Sequence, residues 1–217
     1  MKNMIEAFER ESREFNPSFH FKSRIKEMEK TSSYGVQLAS KWRELLNRSK
    51  MDEVYPVVHP IGKETFSLYA DYPSGIFEYA LDIDLATSLI REKAISPINV
   101  SPKNIIDAVD PGNINKDPAK IKPNHKNPVM VIQSHYLTNN KYYCINGNHR
   151  IYEAYRNEDE EIEVYLFKEL EFVSFFYDEL SKATYFLEID AARVLNNQQH
   201  IQQSELNQYP FDFNFSR

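Results

Sequence analysis

Tyr142-Tyr143-Cys144-Ile145-Asn146-Gly147-Asn148-His149-Arg150, running on into Ile151-Tyr152-Glu153-Ala154-Tyr155, is the stretch that decides the fold. The apolar run before Asn146 predicts a strand, and Gly147 predicts a tight turn. Ile151, Ala154 and Tyr155 fall at i, i+3 and i+4, one face of a short helix. A strand that turns through glycine into a helix presents unpaired N–H groups and a partial positive charge at the helix start. Gly147 lets the backbone come close to a ligand, and Arg150 supplies a charged fork. Gly147, Asn148, His149 and Arg150 are therefore candidate binding residues for a phosphate or another anion.

The flanks extend this unit. Asn127-Pro128-Val129-Met130-Val131-Ile132 predicts a strand that pairs with Tyr142–Ile145 as a hairpin across Thr138-Asn139-Asn140. Downstream, Ile162, Val164 and Leu166 alternate with Glu161, Glu163 and Tyr165, the period of a half-buried strand. The expected order is strand, strand, helix, strand.

That order, with Gly-Asn-His-Arg opening the helix, resembles the ParB/sulfiredoxin superfamily over about residues 95–167. Ser96 to Ile106 looks like the family's opening strand and first loop. The resemblance implies a nucleotide such as ATP, ADP or CTP, with Mg2+, held by the turn amides and Arg150. Sulfiredoxins carry a nucleophilic cysteine just before the His-Arg pair; Asn148 stands there, which argues against sulfinate repair. Partitioning ParB proteins continue into a basic DNA reader, whereas this chain continues into an acidic loop and aromatic-rich helices. ADP-dependent free-serine kinases, another branch, use an acid to deprotonate the substrate hydroxyl. By position Asp107 and Asp110 are the candidates for that base, with His149 as a third.

The 217 residues, 41% hydrophobic and 27% charged, suit a globular protein with a sizeable core. Expected is an α+β fold: a small mixed-sheet core at 95–168, a helical region with a β-rich segment at 1–94, and C-terminal helices with an aromatic tail at 169–217. Met1 to Glu6 lacks an apolar signal region, so the expectation is a cytoplasmic protein with no membrane partner. One cysteine and six scattered histidines give neither a disulfide nor a zinc spacing, and Cys144 reads as a small buried hydrophobe. The net charge of −6 disfavours non-specific duplex binding.

Lys116, Lys120, Lys122 and Lys126, with His125, form a local basic segment. It reads either as a solvated loop or as a lid in which Lys120 and Lys122 reach a bound phosphate. Asp82 and Asp84 read as neighbours on one exposed strand face, and Glu158–Glu161 as a solvated turn. Three function classes follow: a nucleotide-using enzyme such as a small-molecule phosphotransferase or ATPase, a nucleotide-gated module that signals to a protein partner through its helical flanks, and a ParB-like DNA-binding protein or nuclease. The acidic balance weakens the third.

Overall fold

The computed structural model describes residues 15–48, 55–114 and 127–196, and the fold is α+β. Contacts group the chain into two compact units. Of the described residues, one takes in 15–48, 55–58, 68–79 and 177–196, the other 59–67, 80–114 and 127–176. The expected N-terminal and C-terminal helices thus belong to the same unit. Among the described residues no helix is long and apolar enough to cross a membrane.

In the first unit, helix α1 (Pro17–Glu29) starts where the Asn-Pro pair directs it. Pro17 supplies the preset φ of the first position, and the Asn16 side chain accepts the Phe19 N–H at 2.9 Å. After the break at 30–32, helix α2 (Ser33–Arg48) follows. At Gly35 a Cβ would collide with the Met28 carbonyl oxygen, so glycine allows this close approach of α2 to the end of α1. Phe21, Ile25 and Met28 of α1 and Leu38 and Trp42 of α2 are buried, as are Leu187 and Val194 of helix α7 (Glu179–Leu195). The hairpin of β1 (Thr65–Tyr72) and β2 (Gly75–Asp82) lends residues 68–79 to this unit.

The second unit is built on a four-stranded sheet. Its strands are β3 (Ile98–Val100), β4 (Val129–Gln133), β5 (Tyr142–Asn146) and β6 (Ile162–Lys168), in the order β3-β6-β4-β5. β4 pairs antiparallel with β5 and parallel with β6, and β3 closes the other edge antiparallel to β6. Val129 to Ile132 are all buried, which explains why this inner strand reads as a continuous apolar run rather than an alternating one. The expected hairpin forms, with helix α5 (His135–Thr138) and left-handed Asn139 and Asn140 in its loop. Helix α6 (Asn148–Arg156) then links β5 to β6. Ile151 of α6 packs with Val129, Val131, Cys144 and Val164 in one apolar cluster, joined by Ile105 and Ala108 from α4 (Pro102–Ile105) and the 3-10 turn Ile106–Ala108.

Two readings need correction. Asp82 and Asp84 do not share an exposed strand face, because helix α3 (Ile83–Glu92) begins between them. Asp82 is buried and caps α3, accepting the Leu85 N–H at 2.8 Å and facing Lys63 Nζ at 3.2 Å, while Asp84 accepts the Glu64 N–H at 2.9 Å. The stretch after Glu169 does not open with an α-helix: Glu169–Phe175 is 3-10, and α7 follows after a break. Glu158 to Glu161 are exposed, as expected.

Candidate functional site

Gly147 is the N-cap of α6 with φ +102, a left-handed conformation that side chains resist. Space excludes a side chain as well. A Cβ there would stand 2.6 Å from Val129 Cγ1 and 2.7 Å from Arg150 Nη2. The guanidinium of Arg150 therefore folds back over its own turn. The first ladder bond of the helix runs from the Ile151 N–H to the Gly147 carbonyl at 3.2 Å. The N–H groups of Asn148, His149 and Arg150 precede that ladder and are the orphan donors of the helix start.

Arg150 has work inside the fold that the sequence does not reveal. Nη1 donates to the backbone carbonyls of Asn127 and, at 3.0 Å, Pro128, and Nη2 donates to Asn146 Oδ1 at 3.1 Å. It thereby ties the entry of β4 to the end of β5. Three of its five N–H donors are used in this way, and Nε–H and one Nη2–H have no hydrogen bond among the described residues. Burial pulls the guanidinium below its ordinary value, opposed by Cys144 and Glu64. It stays a cation in the first turn of a helix that has no acidic residue there, where the helix dipole is also positive. Glu64, one hydrogen bond beyond Asn146, and Asp110, tied to Asn148, are the carboxylates near this turn.

Asn148, expected at the phosphate, is buried and its side chain is spent on structure. Oδ1 accepts the Asp110 N–H at 2.9 Å, and Nδ2 faces the Cys144 carbonyl at 3.4 Å. Only its backbone N–H belongs to the orphan set. The same bond draws Asp110 to the start of α6. The Asp110 carboxylate accepts the Gly112 N–H at 2.8 Å and faces the Tyr143 hydroxyl at 3.4 Å. Burial and the adjacent Asp110 both push the Tyr143 hydroxyl up from its ordinary value. Asp107 is exposed on its 3-10 turn, with no hydrogen bond to the Gly147 turn among the described residues.

His149 is turned along the helix. Its Nε2 lies 3.2 Å from Glu153 Oε1, within ion-pair reach but off the hydrogen-bond line, and both ring nitrogens are shielded from water without a hydrogen bond. Cys144 is fully buried and its thiol is pushed up to about 12 by burial, so it is a packing residue and not a nucleophile. Lys120 and Lys122, with the rest of the basic segment from Lys116 to Lys126, lie outside the described residues.

Three participants were not anticipated. Asn146 sits between Arg150 and Glu64, donating from Nδ2 to Glu64 Oε1 at 3.3 Å. Glu64 is pinned by the start of α3, since its carbonyl accepts the Ile83 N–H at 2.9 Å and its N–H donates to Asp84. Tyr143 meets Asp110. The four-residue spacing of Asn146 and Arg150 carries a local signal, but Glu64 is 82 residues away from Asn146 in sequence and carries none. Among the described residues no group of three His, Cys, Asp or Glu is placed to hold a metal ion.

No protein-family model, curated protein or solved structure matches the chain. The likeness to the ParB/sulfiredoxin superfamily therefore rests on the residues of the turn and on the order of elements alone.

Proposed function

We propose that the Gly147–Arg150 turn binds the phosphate of a nucleotide or of a phosphorylated small molecule. One observation carries this reading: three orphan N–H groups and a half-buried guanidinium with two unspent donors meet at one helix end that has no carboxylate in its first turn. An anion there supplies acceptors to donors that otherwise depend on water and offsets the unfavourable pairing of a cation with the positive end of a helix.

Phosphotransfer is the chemistry this arrangement favours. Asp110, held to the start of α6 through Asn148, is the acid we assign to receive the proton of an attacking hydroxyl. Asp107 has no comparable tie. A divalent ion would arrive with the nucleotide, because magnesium is commonly held by substrate phosphates and few carboxylates rather than by an all-protein cage.

Calorimetry with ATP, ADP, CTP and GTP, each with magnesium, tests the reading, with turnover followed in parallel. At least one nucleotide should bind, and Arg150→Lys should weaken it by about 10-fold or more, since lysine keeps the charge but loses the fork. Arg150→Ala is the poorer test, because it also releases the carbonyls of Asn127 and Pro128. Failure of all four nucleotides and of inorganic phosphate to bind would remove the proposal.

A further inference from the structure

The first unit contains a second constellation, unrelated to the turn. Ser74 lies in the two-residue turn between β1 and β2 and is half-buried. Its hydroxyl is 2.7 Å from His20 Nδ1, and His20 Nε2 lies 3.0 Å from Glu188 Oε1, off the direct N–H···O line. Arg24 grips the same carboxylate with two bonds, Nε to Oε1 at 2.6 Å and Nη2 to Oε2 at 2.9 Å. The rings of Phe15 and Tyr72 flank the imidazole with centroids at 5.0 and 4.9 Å.

We propose that Ser74, His20 and Glu188 form a nucleophile–base–acid relay that transfers acyl groups from small uncharged esters. A carboxylate facing Nε2 selects the tautomer with its proton on that nitrogen, which leaves the Nδ1 lone pair for the serine O–H. This is the order nucleophilic catalysis requires: nucleophile and base within hydrogen-bond reach, and the base oriented by a third group. Glu188 and Arg24 are positioning residues. A purely structural histidine needs two partners, but it does not need one of them to be a serine on a hairpin turn that solvent reaches. The aromatic flanks favour an acyl group without charge.

In the reaction Ser74 Oγ bonds to the ester carbonyl carbon and its proton passes to His20 Nδ1. The carbon–oxygen bond to the alcohol breaks as that proton moves to the departing oxygen. Water then replaces the alcohol, releasing the carboxylic acid and restoring the serine.

The test uses the full chain with a fluorophosphonate probe, followed by peptide mass spectrometry and by steady-state hydrolysis of p-nitrophenyl acetate. A single adduct is expected at Ser74, absent in Ser74→Ala and at least 100-fold slower to form in His20→Gln. Glu188→Gln should lower kcat for the ester at unchanged KM. A parent protein that takes no label overturns the proposal whether or not the variants fold. Labelling of His20→Gln at the parental rate, or Glu188→Gln with parental kcat, overturns it equally.

Discussion

Two regions bury charge in opposite ways. In the first unit the Glu188 carboxylate is gripped by the Arg24 guanidinium and also faces His20, so its negative charge is answered by the Arg24 cation. Burial pushes the Glu188 carboxyl up, but His20 and Arg24 outweigh it and hold the group below the ordinary carboxylate range. In the second unit the half-buried Arg150 is held mainly by neutral acceptors, two carbonyls and an amide oxygen, with Glu64 one hydrogen bond farther out. A paired charge produces little field beyond its pair, whereas a cation solvated by dipoles keeps its field. The first arrangement fixes side chains, and the second is the one on which the proposed anion site rests.

The comparison breaks first at Gly147. Gly147→Val places a branched side chain at φ +102, 2.6 Å from Val129 Cγ1, and should destabilise the second unit by about 3–5 kcal/mol, from backbone strain and overpacking together. Urea unfolding monitored by circular dichroism measures this. A loss below 1 kcal/mol, on the scale of an ordinary surface change, would mean that the turn is not held as described.

Asp190 sharpens the comparison from the other side. It is buried and accepts the Trp42 indole N–H at 2.9 Å, and burial raises its carboxyl to about 7, against the pull of Trp42, Arg193 and Lys41. The folded state therefore binds this proton more tightly than the unfolded chain does. The group's favourable contribution is fully present below about pH 4, declines as pH rises to about 7, and is flat above that. Asp190→Asn keeps an acceptor for Trp42 and should add roughly 1–3 kcal/mol at pH 8 while leaving stability at pH 4 little changed. Trp42, the sole tryptophan, reports the unfolding. The same pH slope in parent and variant would contradict the assignment.

A smaller effect is expected at Asn148. Asn148→Ala deprives the Asp110 N–H of its acceptor and should cost about 1–2 kcal/mol, with faster hydrogen exchange at the Asp110 amide. Unchanged exchange would detach Asp110 from the turn.

The sequence discloses the frame of the second unit well, because its signals are local. The apolar run of β4, the alternation in β6 and the glycine before α6 each follow from spacing within a few residues. At Asp82 the pattern misleads, because an aspartate that ends a strand and caps a helix satisfies the alternation of Leu81-Asp82-Ile83-Asp84 equally well. The position of Asn148 beside Gly147 suggests a ligand-facing residue, yet its side chain partners Asp110, 38 residues away in sequence. Arg150 was legible as a cation at a helix start but not as the tie to Asn127 and Pro128, since nothing local announces those carbonyls. The Ser74, His20 and Glu188 constellation spans three distant segments and has no signature in any one of them.

Amide chemical shifts in the presence of nucleotide and magnesium test the central claim most directly. Titration of the full chain, followed by two-dimensional nitrogen–proton correlation spectra, should move the amides of Asn148, His149 and Arg150 together and saturably, with the Arg150 Nε–H signal, while amides within α7 stay in place. If those three amides remain still under a nucleotide that binds elsewhere, or under every nucleotide and phosphate offered, the Gly147 turn is not an anion site.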